Sequence, residues 1–130
     1  MKIRFALLAA LIVLALPLSA QTGHPMLGVS FQTIGTPAAT VSWTQPAGLP
    51  AGTTVSLYRC AGSPCAVTTS FTLLVSGVAV AGPYVDSTVT SGSYSYYAVN
   101  VNGTATSGAS NIASGTLPLP APTGLTVTVK

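Results

Sequence analysis

Side chains able to do acid–base or ligand chemistry are scarce in this chain. Its 130 residues hold one carboxylate side chain, Asp86, no glutamate, and one imidazole, His24. General acid–base catalysis needs two titratable groups within reach of each other. Metal catalysis needs about three N, O or S ligands converging on one point. Neither set can be assembled from this inventory, so no catalytic residue, metal ligand or cofactor is expected, and the chain does not read as an enzyme. His24 is expected to be solvated. Asp86, at the approach to a turn, is expected to accept backbone N–H bonds in an Asx turn.

The two cysteines, Cys60 and Cys65, enclose Gly62 and Pro64, so a short loop can bring the sulfurs together. In an exported chain this spacing points to a disulfide. Closing so small a loop stabilises by about 2 kcal/mol on the chain-entropy model. A metal pair lacks further ligands, and a redox pair has only Arg59 nearby to lower a thiol pKa.

Export is read from residues 1–20. Lys2 and Arg4 precede the apolar run Phe5–Leu16, and Pro17-Leu18-Ser19-Ala20 supplies a helix breaker and small residues. That is the pattern of a secretory signal cleaved after Ala20. The run is too short for the ~20 residues of a membrane span, and no Cys follows it for lipid attachment. The expected location is extracellular or at a cell surface, with the periplasm as the alternative. Without the leader, Arg59 and Lys130 face Asp86 alone. Two isolated cations make no basic stripe, so nucleic acid is not an expected partner, and a lipid surface would find equally little to hold. About 110 residues remain, enough for one domain with one core.

The elements that must position these residues are strands. Val, Thr and aromatics alternate with Ser and Thr, and Gly or Pro interrupts every window before a helix could form. Seven strands are expected, at Leu27–Thr33, Ala39–Thr44, Thr53–Cys60, Phe71–Val75, Tyr84–Val89, Ser93–Asn102 and Ala109–Thr116. Asn102-Gly103 is expected to turn a hairpin, since both residues tolerate positive φ.

Several of these pieces carry a resemblance. They are Val41-Ser42-Trp43, Val55-Ser56-Leu57-Tyr58-Arg59, Tyr84-Val85-Asp86-Ser87-Thr88-Val89 before Ser91-Gly92, Tyr94 to Gly103, and Ser110-Asn111. In this order, from about Leu27 to Thr116, they resemble a fibronectin type III domain of the bacterial, Ser/Thr-rich kind. The resemblance implies an all-β, seven-stranded immunoglobulin-like sandwich over residues 21–117. It makes Trp43 the core tryptophan of the second strand and places Tyr94 at the tyrosine corner, its hydroxyl bonding backbone between the fifth and sixth strands. Tyr96 joins Trp43 in the core, each aromatic hiding about 150–250 Å². Asn102-Gly103-Thr104 stands where an Arg-Gly-Asp would be needed, so integrin-type adhesion is not implied. The same triplet fits the N-glycosylation pattern, a match expected to be accidental in a bacterial module.

With Tyr94 and Tyr96 inward, Tyr97 is expected to point out, beside Tyr58 on the neighbouring strand. That pair is either a platform for a sugar ring or a cross-strand contact, the second reading being preferred. Residues 118–130 read as a Pro-rich linker, stiffened by Pro118, Pro120 and Pro122, followed by a strand in which Leu125, Val127 and Val129 alternate with threonines. It is the start of a second module, a strand folding back on its own sheet, or a strand donated to a neighbour through Thr123–Lys130, in that order. The expected function is a secreted, non-catalytic structural or adhesive module, acting as spacer or protein-interaction unit on a cell surface, in an extracellular assembly or on a virion. The alternatives are a carbohydrate-binding or enzyme-accessory module and a self-assembling subunit; the protein or glycan partner is left unidentified.

Overall fold

The computed structural model describes residues 24–32, 36–62, 65, 70–119, 126 and 128. The signal at 1–20 and, apart from Thr126 and Thr128, the strand expected over 121–130 lie outside the described residues. Among the described residues, alternation of β-branched and hydroxyl residues yields eight strands, one more than expected: β1 (Met26–Gln32), β2 (Ala38–Thr44), β3 (Thr54–Ala61), β4 (Thr72–Ala79), β5 (Tyr84–Asp86), β6 (Gly92–Asn102), the short β7 (Ala105–Thr106) and β8 (Ala113–Leu117). One sheet has the order β1-β2-β5. The other runs β4-β3-β6, with β7 and β8 both paired to the far side of β6. All pairings are antiparallel, and the two sheets form a sandwich with the all-β class expected.

Between the sheets, Leu27, Ala39 and Val41 meet Val55, Leu57, Tyr96, Ala98 and Leu117. Tyr96, with no exposed surface, is the centre of this core. Trp43 is not: it is half-buried and packs against the core from its margin. The reason lies in strand length. β5 pairs with β2 only over Ala39–Val41, so Trp43 extends past the end of β5. The 80–82 turn covers it instead. The indole N–H donates to the Val80 carbonyl at 2.9 Å, and a Cβ on Gly82, whose φ is +49°, would come within 2.9 Å of the ring.

Two further boundaries, each set by side-chain hydrogen bonds, differ from expectation. β5 stops at Asp86 because the Asp86 side chain takes up the Thr88 N–H at 3.0 Å, turning the chain. The strand expected over Ala109–Thr116 begins only at Ala113, because Ser110, and Ser107 ahead of it, bond to β6 through side chain as well as backbone. Ser107 and Ser110 donate their backbone N–H groups to the Asn100 and Ala98 carbonyls, both at 2.9 Å. Their side-chain oxygens accept the Asn100 and Ala98 N–H groups, again at 2.9 Å. Hydroxyls thus replace carbonyls along the edge of β6, and regular pairing resumes only at Ala113. The β6–β7 hairpin pairs Asn102 with Ala105. Only Gly103 in that turn has positive φ, the arrangement of a type II′ turn with glycine first.

β4 is an edge strand without charge or proline. Register shifts against β3 between Val55 and Tyr58, and a positive-φ Gly77, twist that edge and so discourage pairing with another chain.

Candidate functional site

Arg59 continues the inward alternation of Val55 and Leu57 on β3, which carries a guanidinium to the rim of the core. Its partner is Asp86 at the end of β5, 1% exposed. Arg59 Nη1 donates to Asp86 Oδ2 at 2.7 Å and to Thr88 Oγ1 at 2.6 Å. The Tyr96 hydroxyl donates to the same Oδ2 at 3.0 Å. Asp86 Oδ1 accepts from the Thr88 hydroxyl at 2.6 Å and from the Thr88 N–H at 3.0 Å. The Asx turn read from the sequence is therefore present, inside a network that the sequence reading did not assemble. The guanidinium also sits 5.7 Å from the centre of the Tyr94 ring. Tyr94 in turn accepts the Thr90 N–H at 3.0 Å, between β5 and β6.

Electrostatics follow from this packing. Burial alone would raise the Asp86 carboxyl, but the Thr88 hydroxyl, Arg59, the Thr88 N–H and Tyr96 together hold it below the ordinary carboxylate value. Burial, then the negative charge of Asp86, pushes the Tyr96 hydroxyl well above the usual phenol value. The Thr90 hydrogen bonds move Tyr94 the other way. Burial works to lower Arg59, yet the bond and charge of Asp86 leave it raised. Both oxygens of Asp86 are occupied by internal donors, which leaves the carboxylate no capacity to take a proton from a bound molecule.

The outer face of the same sheet holds the other residues of interest. Cys60 and Cys65 are joined in a disulfide. Tyr58 and Tyr97 are register partners on β3 and β6, stacked with centroids 4.7 Å apart and planes 2° from parallel. Phe71 closes on Tyr97 edge-on, 5.0 Å between centroids. Cys65, Phe71 and Tyr97 form a small buried cluster with Tyr58, Cys60, Val99 and Ile112 around it. Tyr97, expected on the surface, is 8% exposed. It does point away from the main core, but Tyr58, Phe71 and the Cys60–Cys65 disulfide cover it. The stack takes up one face of each ring, and Phe71 closes on Tyr97, which leaves Tyr58 the more open of the two.

Elsewhere, His24 is exposed ahead of β1. A concavity of about 400 Å³ over β1 and β2 is lined by Met26, Leu27, Gly28, Ser42, Trp43 and Thr44, none of which titrates. Among the described residues, no three His, Cys, Asp or Glu side chains converge as a metal site. No described helix is long and apolar enough to cross a membrane. Asn102 Nδ2 donates to the Ala51 carbonyl at 2.9 Å and to Thr53 Oγ1 at 3.0 Å, so the amide that a glycan would need ties the hairpin to the β2–β3 loop.

The Arg59–Asp86 pair had one legible signal. Arg59 falls on the inward phase of a core strand, and a buried cation needs a partner. The chain offers a single carboxylate to supply it.

No protein-family model matches the sequence, and no curated protein is similar to it. Among solved structures, the chain is similar to an Fn3-like protein from Clostridium thermocellum. The TM-score is 0.55 at 18% identity, over 78% of this chain and 96% of that one. A pectate lyase from Pectobacterium carotovorum is similar with a TM-score of 0.56 at 22% identity, over 70% of this chain. This chain spans only 26% of that enzyme's length. The fold is that of a fibronectin type III-like β-sandwich module.

Proposed function

We propose that the protein is an exported, non-catalytic sandwich module that acts as a spacer or protein-interaction unit on a cell surface, in an extracellular assembly or on a virion. The observation that carries this reading is the state of Asp86, the chain's single carboxylate side chain, whose oxygens are filled by Arg59, Tyr96 and Thr88. A group spent in this way organises the fold rather than a reaction. The disulfide supports an oxidising compartment outside the cytosol. Purified protein tested against broad panels of ester, peptide and glycosidic substrates is expected to show no turnover. Turnover that persists through purification and is abolished by a point substitution would overturn the reading.

The pectate lyase neighbour favours a second reading, an accessory module attached to a carbohydrate-active enzyme. Tyr58, half-buried at the open end of the stack, is then the contact residue. Binding to pectate that disappears in Tyr58→Ala would establish it; silence of the wild-type protein across a glycan array would remove it.

A further inference from the structure

Tyr58 and Tyr97 are placed for a reaction as well as for a contact. They are register partners on β3 and β6, and antiparallel pairing sends both side chains out of one face of the sheet, side by side. With ring centroids 4.7 Å apart and planes 2° from parallel, a small turn of the side chains brings a carbon ortho to one hydroxyl against its counterpart. Phe71, edge-on at 5.0 Å, holds the Tyr97 ring in place. Tyr58 is half-buried and open to solvent on its outer side.

The other tyrosines are differently disposed. Tyr94 and Tyr96 lie in the main core, with their hydroxyls bonded to Thr90 and Asp86. Tyr84 packs on that core from its margin. Among the described residues, Tyr58–Tyr97 is the single contact between two tyrosine rings. Both cysteines are joined to each other, so the chain holds no thiol that would quench a radical on a phenol.

We propose that Tyr58 and Tyr97 form an oxidative cross-linking site, at which a haem peroxidase working with hydrogen peroxide joins β3 to β6 through a carbon–carbon bond. Each phenol gives up one electron and one proton and becomes a phenoxyl radical. Tyr58 is the point of entry. Once oxidised, it draws an electron from the covered Tyr97 and is oxidised again. The two radicals combine at carbons ortho to their oxygens, forming one bond. The hydrogen on each of those carbons then passes to the phenol oxygen, which restores both aromatic rings. Hydrogen peroxide takes up the two electrons and two protons and leaves as two waters. The bond ties the two inner strands of the larger sheet and constrains the unfolded chain as a disulfide does. This goes beyond the spacer reading and does not depend on it.

The test is treatment of the purified full chain with a haem peroxidase and hydrogen peroxide, at a dilution that keeps molecules apart. The product is expected to be a monomer lighter by two hydrogens, with the blue fluorescence of a biphenol. Digestion should release peptides joined through Tyr58 and Tyr97. Closing a loop of about 40 residues should raise Tm by roughly 10 °C or more. Tyr58→Phe and Tyr97→Phe keep each ring and its packing but lose a phenol, and both are expected to stay at background. Tyr84→Phe should react like wild type, and near-ultraviolet circular dichroism checks that each variant is folded. A wild-type monomer without joined peptides, fluorescence confined to dimers, or an undiminished yield in Tyr58→Phe or Tyr97→Phe would overturn the proposal.

Discussion

Adjacent rungs of the β3–β6 ladder, Arg59–Tyr96 and Tyr58–Tyr97, point to opposite faces of one sheet and are stabilised by opposite means. On the inner face the pair is polar and buried, and its stability depends on every donor finding Asp86. On the outer face the pair is aromatic, and it is stabilised by contact with Phe71 and the Cys60–Cys65 disulfide. The inner arrangement is close to all-or-none, because losing one partner strands the others without water. The outer arrangement is additive, because each ring or bond removed takes away only its own contacts. A single step along the strand separates these regimes.

The comparison is broken most directly at Asp86. Asp86→Ala leaves the Arg59 guanidinium without its counter-ion and the buried Tyr96 hydroxyl without its acceptor. Denaturant unfolding is expected to show a loss of roughly 3–5 kcal/mol. A loss below 1 kcal/mol would mean that the inner network does not act as a unit. The pH dependence sharpens the same point. Asp86 is held below its ordinary value when folded, so its contribution is whole above about pH 4 and is lost as pH falls through the folded value. Tyr96 is raised when folded, so its contribution is whole below about pH 10 and is lost above it, where the unfolded phenol ionises first. Thermal melts are expected to show a plateau with both an acid and an alkaline fall. Tyr96→Phe should remove most of the alkaline fall, while Tyr94, shifted the other way, is left unchanged in that variant.

These two regimes were not equally legible in the sequence. Alternation put Val55, Leu57 and Arg59 on one face of their strand because side chains there repeat every two residues, a rule that needs no knowledge of neighbours, and the resemblance put Tyr96 in the core. Asp86 was readable as a turn residue for a similarly local reason. Its pairing with Arg59 is a long-range fact, visible only by asking which carboxylate a core-facing cation would use. Tyr97 was placed on the correct face and yet read as exposed. Its cover comes from Phe71 and the Cys60–Cys65 disulfide, whose placement no periodicity fixes. Ser110 misled in another way. Serine in a strand and serine imitating a strand's carbonyl have the same composition, so the break before β8 left no trace. Trp43 sits at the margin of the core because β5 begins only at Tyr84, opposite Val41.

On the outer face the effects are expected to be smaller. Reducing the Cys60–Cys65 disulfide frees a loop in the unfolded chain and should cost about 2 kcal/mol on the entropy model, read as a lower Tm in the presence of reductant. Tyr96 and Asp86 lie on the other face, so the pH profile should keep its shape while the whole curve drops. A change in the acid limb on reduction would show that the two faces are coupled.

The smallest expected effect tests additivity itself. Tyr58 and Tyr97 stack nearly parallel, and aromatic pairs of this kind contribute about 0.5–1.5 kcal/mol beyond their burial. Tyr97→Ala removes a buried ring and should cost more than Tyr58→Ala, whose ring is half in water. The double-mutant cycle over the two isolates the stack from the burial that each ring brings alone. An interaction energy within that range fits an outer face built from separable contacts. A much larger one would mean that Phe71 and the disulfide loop collapse when either tyrosine is lost. The outer cluster would then be a second cooperative core, and the contrast between the two faces would be one of polarity alone.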